Sequence, residues 1–251
     1  MSRLTGKVAF VTGAGQGVGR GIALALASEG AAVAVVGRTL TKLQQVVTEI
    51  EQRGAKAIAV ECDIKNAATL AAAVQTTVDQ LGGLNILVNN AQEVPLGTLA
   101  QVTEEAFSAG WESGPMATFR LMKLAHPHLK GDGVIINLGS PAAMRWDASG
   151  YGAYGAVKEA IRQLTRAAAC EWAKDGIRSN CILPLAQSPA MDWWTRERPA
   201  EAAAFVPTVP MQRVGDCEAD VGRFVATLCS SGCGYINGQS IAVDGGQAYL
   251  G

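Results

Sequence analysis

Histidine is nearly absent from this chain. It has two, both in the segment AHPHLK at 125–130. With no acid in that segment they make a poor metal pair, and a solvent-facing helix end is the better reading. The six cysteines, at 62, 170, 181, 217, 229 and 233, are scattered. Cys229 and Cys233 could meet on one helical turn, but no second pair or neighbouring histidine completes a zinc set. They read as small buried apolar side chains, and no metal is expected. Charge of either sign is also short. The formal net charge is −1, so there is no basic excess to neutralise a nucleic acid and no polybasic patch for a membrane surface. No apolar run approaches the ~20 residues that span a bilayer. The start, MSRLTGKVAFVTGAG, reaches glycine too soon for a signal-peptide core, and the expected compartment is the cytosol.

What is present is apolar. Hydrophobic residues make up 49% and charged ones 17% of 251 residues, which suits one large, well-buried domain rather than disorder. Short β-branched runs alternate with longer alanine-rich segments. KVAFVT, AAVAVVG, KAIAVEC, LNILVNN, GVIINLGS, IRSNCIL and SIAVDGG read as strands, most of them apolar on both faces. Between them VGRGIALALASEG, LTKLQQVVTEIEQRG and NAATLAAAVQTTVDQLGG carry apolar residues at helical spacing, with Gly30, Gly54 and Gly82 at expected left-handed ends. Sustained alternation of this kind predicts an α/β fold with a doubly wound, mainly parallel sheet. One domain over 1–251 is expected. The stretch at about 184–212 is proline-rich, holds Trp193 and Trp194, and reads as an irregular substrate lid.

TGAGQGVGR follows the first strand and opens the first helix. Its Gly13, Gly15 and Gly17, with Gln16 and Val18, are candidate cofactor contacts. Glycines permit a tight turn, let backbone N–H groups approach a pyrophosphate, and aim a helix N-terminus at it. At the end of the second strand an acid would bind a ribose 2′-OH; here Gly37 and then Arg38 stand. A guanidinium can grip a 2′-phosphate, so NADP(H) is preferred, with NAD(H) possible. Arg38 could also be a plain strand-end charge, and Gln16 is neutral where a second cation would strengthen the case. Asp63 could accept from an adenine amino group, with Ile64 covering the ring, or it could start the next helix as an N-cap.

Taken together, TGxxxGxG at 12–19, NNA at 89–91, Ser140, YxxxK at 154–158 and DGG at 244–246 occur in the order of the short-chain dehydrogenase/reductase family. The resemblance covers essentially the whole chain. It implies a Rossmann-type sheet of seven strands, a nicotinamide dinucleotide, hydride transfer between carbonyl and alcohol, and a homotetramer or homodimer. It assigns cofactor contacts to Asn90, Ala91, Tyr154 and Lys158, and to Ser188 in place of the family's threonine. A phenol with a pKa of ~10 needs help near neutrality, and an ammonium four residues on lies on the same helix face and should lower it. That makes Tyr154 the acid/base beside Lys158, with Ser140 holding the carbonyl oxygen.

Three departures fall near the nicotinamide end. Gly114 in GPMATF stands where the family has an asparagine that holds a proton-relaying water, and Pro115 should kink that helix. A neighbour such as Ser113, or a water, would have to replace the relay. Gln92 replaces glycine after NNA, and Leu185 replaces the glycine after the proline of the sixth strand. The pocket is expected to be lined by Gln92, Ser140, Met144, Trp146, Tyr151, Leu185, Trp193 and Trp194. This wall suits a neutral, fairly hydrophobic ketone or secondary alcohol. The two tryptophans could equally lie exposed or in an oligomer contact. The competing function is a dinucleotide-binding sensor or structural subunit with weak or no turnover. A non-redox relative on the same fold is a third reading.

Overall fold

The computed structural model describes residues 2–145 and 148–248; Trp146 lies outside them. Seven strands form one parallel sheet: β1 (Val8–Thr12), β2 (Ala32–Gly37), β3 (Ala57–Glu61), β4 (Ile86–Asn89), β5 (Gly133–Leu138), β6 (Ile177–Pro184) and β7 (Ser240–Val243). Their spatial order is β3-β2-β1-β4-β5-β6-β7, and every pairing is parallel. This is the seven-stranded Rossmann-type arrangement. All seven runs read as strands from the sequence are strands here.

Period-two alternation makes the sheet two-sided. Ala9 and Val11 of β1, Val33 and Val35 of β2, and Ile86 and Val88 of β4 face a core closed by α1 (Gly17–Ser28) and α2 (Leu40–Gln52). Phe10, Ala34, Val36 and Leu87 face the opposite core, closed by α3 (Ala67–Leu81), by α5 (Ala117–Leu129) after α4 (Glu104–Trp111), and by α6 (Gly152–Glu171). The strands are therefore apolar at nearly every position because each face has its own helical layer. Gly30, Gly54 and Gly82 hold φ of 91°, 80° and 86° past their helices, the left-handed ends that glycine tolerates.

The winding reverses between β1 and β4, opening a crevice at the carboxyl ends of those strands. The 184–212 stretch is more regular than its prolines suggested. Pro189 opens α7 (Pro189–Glu197) and Pro199 opens α8 (Pro199–Phe205). Proline suits the first turn of a helix, where its missing N–H has no partner to lose.

Gly21 of α1 sits so close to the wide helical turn at Cys217–Gly222 that an added Cβ would overlap the backbone of Cys217. That contact seats the glycine loop from behind. Gly21→Ala should lower stability by ~1–3 kcal/mol, read as a lower urea midpoint at an unchanged slope.

Candidate active site

The glycine loop is shaped by close approach. Gly13 holds φ 64°, and a Cβ there would stand 2.7 Å from Asn90 Nδ2. Asn90 Nδ2 donates to Thr12 O at 2.8 Å. Thr12 Oγ1 accepts the N–H groups of Asn90 and Ala91 at 2.9 and 3.0 Å. Asn90 and Ala91, predicted as cofactor contacts, thus form the wall on which the loop is built. Gln16 stands at the N-cap of α1 without a side-chain cap bond, and the first turn carries no acid. Its leading N–H groups remain for an anion. Gly15 packs beside Lys42, Gly17 beside Ser188 and Pro189, and Val18 half-buried on the core. The Ser188 hydroxyl caps α7 by accepting the Met191 N–H at 3.2 Å, so it closes over the loop from the far side.

Arg38 is exposed beyond β2. Its Nη1 meets Glu93 Oε1 at 3.3 Å, and the same oxygen takes Lys65 Nζ at 2.8 Å. Lys42 Nζ donates to Gln16 Oε1 at 2.6 Å. Sequence reasoning missed Lys42, Lys65 and Glu93. Each carries only an ordinary surface charge in sequence, and the strand order brings them to one place. The N-cap alternative for Asp63 is corrected. Asn66 caps α3, accepting from Ala68 and Thr69, while Asp63 Oδ1 accepts the Lys65 N–H at 3.0 Å in a local turn. Ile64 is 8% exposed and belongs to the core under that turn.

Ser140, Tyr154 and Lys158 come together. Ser140 lies two residues past β5 and caps a short turn, accepting the Ala142 N–H at 3.2 Å. Tyr154, half-buried in the first turn of α6, is hydrogen-bonded to Ser140. Lys158 is one turn further on and 3% exposed. Its Nζ donates to Leu138 O at 2.6 Å and lies 5.5 Å from the Tyr154 ring centre. Tyr151 stands edge-on to Tyr154, with centroids 6.0 Å apart.

The expected depression of the phenol pKa is corrected. Burial pushes Tyr154 up to about 12, only partly opposed by the Ser140 bond. Burial also pulls Lys158 down to about 8. The neighbouring Cys181 thiol is itself pushed up by burial to about 11 and supplies no anion near neutrality. Desolvation dominates because no buried carboxylate faces the ammonium among the described residues.

The predicted pocket residues divide. Tyr151 lies beside Tyr154. Met144 Sδ accepts from Arg162 Nη1 at 2.7 Å. Leu185 is tied through its backbone, its N–H to Val243 O at 3.0 Å and its carbonyl to Gly215 N–H at 3.2 Å. Trp194 packs edge-on against Phe205 of α8 at 5.6 Å, and Trp193 is exposed. Gln92 lies over Gly114 rather than in an open pocket. Pro115 does not break its helix. A wide turn at Glu112–Met116 joins α4 to α5, with the Ala117 N–H reaching back to Glu112 O. Val94, Leu96 and Leu99 are exposed apolar side chains on the loop after β4. That loop is pinned to the Tyr151 side by the Gly97 N–H to Gly150 O bond at 2.9 Å.

Lys158 titrates near 8 in the fold against its ordinary 10.5. Its burial penalty is full below about pH 8 and fades as pH rises toward 10.5, where the unfolded chain holds a proton that the folded chain has released. From pH 8 to 10, the wild type should gain on the order of 2 kcal/mol of stability relative to Lys158→Met. Paired denaturant titrations at the two pH values measure this.

A family model described as enoyl-(acyl carrier protein) reductase matches residues 13–248. A 12α-hydroxysteroid dehydrogenase of a Clostridium species is 36% identical over 98% of both chains. A tropinone reductase homologue of Arabidopsis thaliana is 36% identical over 97% of this chain and 94% of its own. Among solved structures, a 7α-hydroxysteroid dehydrogenase complexed with NADH and 7-oxo glycochenodeoxycholic acid superposes with a TM-score of 0.92 at 31% identity, covering 98% of this chain and 96% of that one. A short chain dehydrogenase from Burkholderia cenocepacia in complex with NADP gives 0.90 at 32%, covering 98% and 99%. With the matched site order, the sheet topology and relatives aligned over almost its whole length, the chain belongs to the short-chain dehydrogenase/reductase family, oxidoreductases that work with NAD(H) or NADP(H).

Proposed function

We propose that this protein reduces a neutral, bulky apolar ketone, or oxidises the matching secondary alcohol, with NADP(H) preferred and Tyr154 as acid/base. The observation that carries this reading is the convergence of Ser140, Tyr154 and Lys158 at the carboxyl ends of β4 and β5. The cofactor would rest on Gly13, Gly15, Gln16, Gly17 and Val18, and its nicotinamide supplies or takes the hydride. Ser140 holds the carbonyl oxygen as negative charge grows on it. Tyr154, proton-loaded at neutral pH because burial holds it near 12, gives its proton to that oxygen. Lys158 stands beside the ring, where its charge stabilises the phenolate left behind.

The apolar Val94, Leu96 and Leu99 on the mouth loop support a hydrophobic substrate. So do relatives named for hydroxysteroids, one of them complexed with an oxo bile acid derivative. Among the described residues no helix is long and apolar enough to cross a membrane, and no group of side chains could hold a metal. The half-exposed Phe107, Trp111 and Phe119 along α4–α5 support assembly into a homo-oligomer.

A weakly active dinucleotide-binding protein is the second reading, favoured by the residues at 92, 114 and 185. Tyr154→Phe separates the two. Carbonyl-dependent NADPH oxidation should fall by about a hundred-fold or more, while NADPH binding, read by tryptophan fluorescence, stays within about two-fold. An inactive wild type that binds NADPH tightly would establish the second reading.

NADP preference is supported by Arg38 together with Lys42 and Lys65, with Glu93 as the opposing charge. A 2′-phosphate must displace that carboxylate from Arg38. Glu93→Gln should therefore tighten NADPH by about three- to ten-fold and NADH far less. Equal gains for both cofactors in fluorescence titrations would overturn the Arg38 assignment.

A further inference from the structure

The hollow over Gly114 holds a group that the protein leaves unsatisfied. A Cβ on Gly114 would stand 2.8 Å from Val157 Cγ1, 2.9 Å from Gln92 Nε2 and 3.1 Å from Gln92 Cδ. The Gln92 carboxamide therefore fills the space that a side chain at 114 would need. Its placement is directed. Ser113 Oγ accepts the Glu93 N–H at 3.0 Å and donates to Ala109 O at 2.7 Å. Its single proton is given to a backbone carbonyl rather than toward the hollow. The hydroxyl straps the loop after β4 to the wide turn and lays Gln92 across Gly114.

Both polar atoms of Gln92, Nε2 and Oε1, are nonetheless buried without a hydrogen-bond partner among the described residues. An unmet buried polar group is costly, and an aliphatic side chain would fill the hollow without that cost. An amide here points to a polar occupant. Asn89 and Lys158 on this face of the sheet have hydrogen-bonding capacity to spare. Asn89 Oδ1 is buried without a partner, while its Nδ2 donates to Asn137, which in turn donates to Thr165 of α6. Lys158, next to Val157 on α6, has three N–H groups and gives one to Leu138 O. Asn89 pairs with Asn137 across β4 and β5, so Leu138, the last residue of β5, and Gln92, three residues past the end of β4, lie at the same carboxyl end of the sheet. A buried water needs two to four polar partners, and these groups can supply them.

We propose that Gln92 is a positioning residue for proton transfer, its carboxamide holding a buried water beside the Lys158 ammonium so that the Tyr154 proton is replenished. This rests on the reading of Tyr154 as the acid. In each reduction the Tyr154 O–H bond breaks and the product O–H bond forms. The phenolate regains a proton from a Lys158 N–H, Lys158 takes one from the water, and the water takes one from solvent. The amide orients the water and itself neither gains nor loses a proton. Gln92 and Gly114 are thus one device: a large polar side chain reaches from the strand loop because the helix offers only glycine.

The test is a pH–rate series on Gln92→Met, which keeps the volume and removes the amide. We expect a folded protein with an equal or higher thermal midpoint, and KM and NADPH affinity within about two-fold of wild type. kcat should fall about ten-fold or more, with a displaced pH profile. In addition, Gln92→Gly alone should lose kcat, and Gln92→Gly/Gly114→Asn should recover most of it, because the amide is then returned from the helix side. A raised KM with kcat retained would make Gln92 a substrate contact. An unchanged kcat and pH profile in Gln92→Met would make it packing alone. A double variant no better than Gln92→Gly would remove the pairing. Any of these overturns the proposal while leaving Tyr154 as the acid. A wild type that turns over no carbonyl, or a fully active Tyr154→Phe, overturns that underlying reading instead.

Discussion

The junction of β1 and β4 is held by one small set of hydrogen bonds, and the site is arranged around it. Thr12 Oγ1 takes the N–H groups of Asn90 and Ala91, and Asn90 Nδ2 returns to Thr12 O. This clamp lies where the winding of the sheet reverses and the crevice opens. It limits how large Gly13 can be, and it directs the chain leaving β4. Gln92 and Glu93 follow within three residues, so the same clamp sets the hollow at Gly114 and the carboxylate beside Arg38.

Two electrostatic regimes meet along the crevice. At the end of β2 Arg38 is exposed, Glu93 and Lys65 are half-buried, and Glu93 is shared by the two cations. Such pairs are weak and exchangeable, which suits a place where a ligand's own charge must compete. Around the Ser140–Tyr154–Lys158 cluster Lys158 is buried and Tyr154 half-buried, and loss of water moves both away from their charged forms. There each polar atom has large consequences because little water screens it.

Much of this was legible in the residues. The seven strands and the glycine-loop junction follow from alternation and glycine spacing, and the Tyr154–Lys158 pair from a four-residue helical step, all of them local regularities; the joining of Ser140 to that pair came from the family resemblance. What stayed hidden depended on distance across the fold. Lys42 and Lys65 look like ordinary helix and turn charges until parallel order sets them beside the loop. Asp63 looked like a cap, but Asn66, three residues on, took that place by accepting two N–H groups. Trp194 gave no hint in sequence of its partner, and only the fold sets it edge-on to Phe205 of α8.

The sequence alone determined the fold class and the order of the family motifs, because strand–helix alternation and residue spacing are written in short-range patterns with a direct physical reading. Tertiary structure decided the balance of pKa values and the meaning of the unusual residues. Burial depth is a property of the packed layers, and it overrode the expected pull of Lys158 on Tyr154. Gln92 and Gly114 are separate oddities in the chain. Only packing the β4 loop against the wide turn shows that the amide of one occupies the missing side chain of the other.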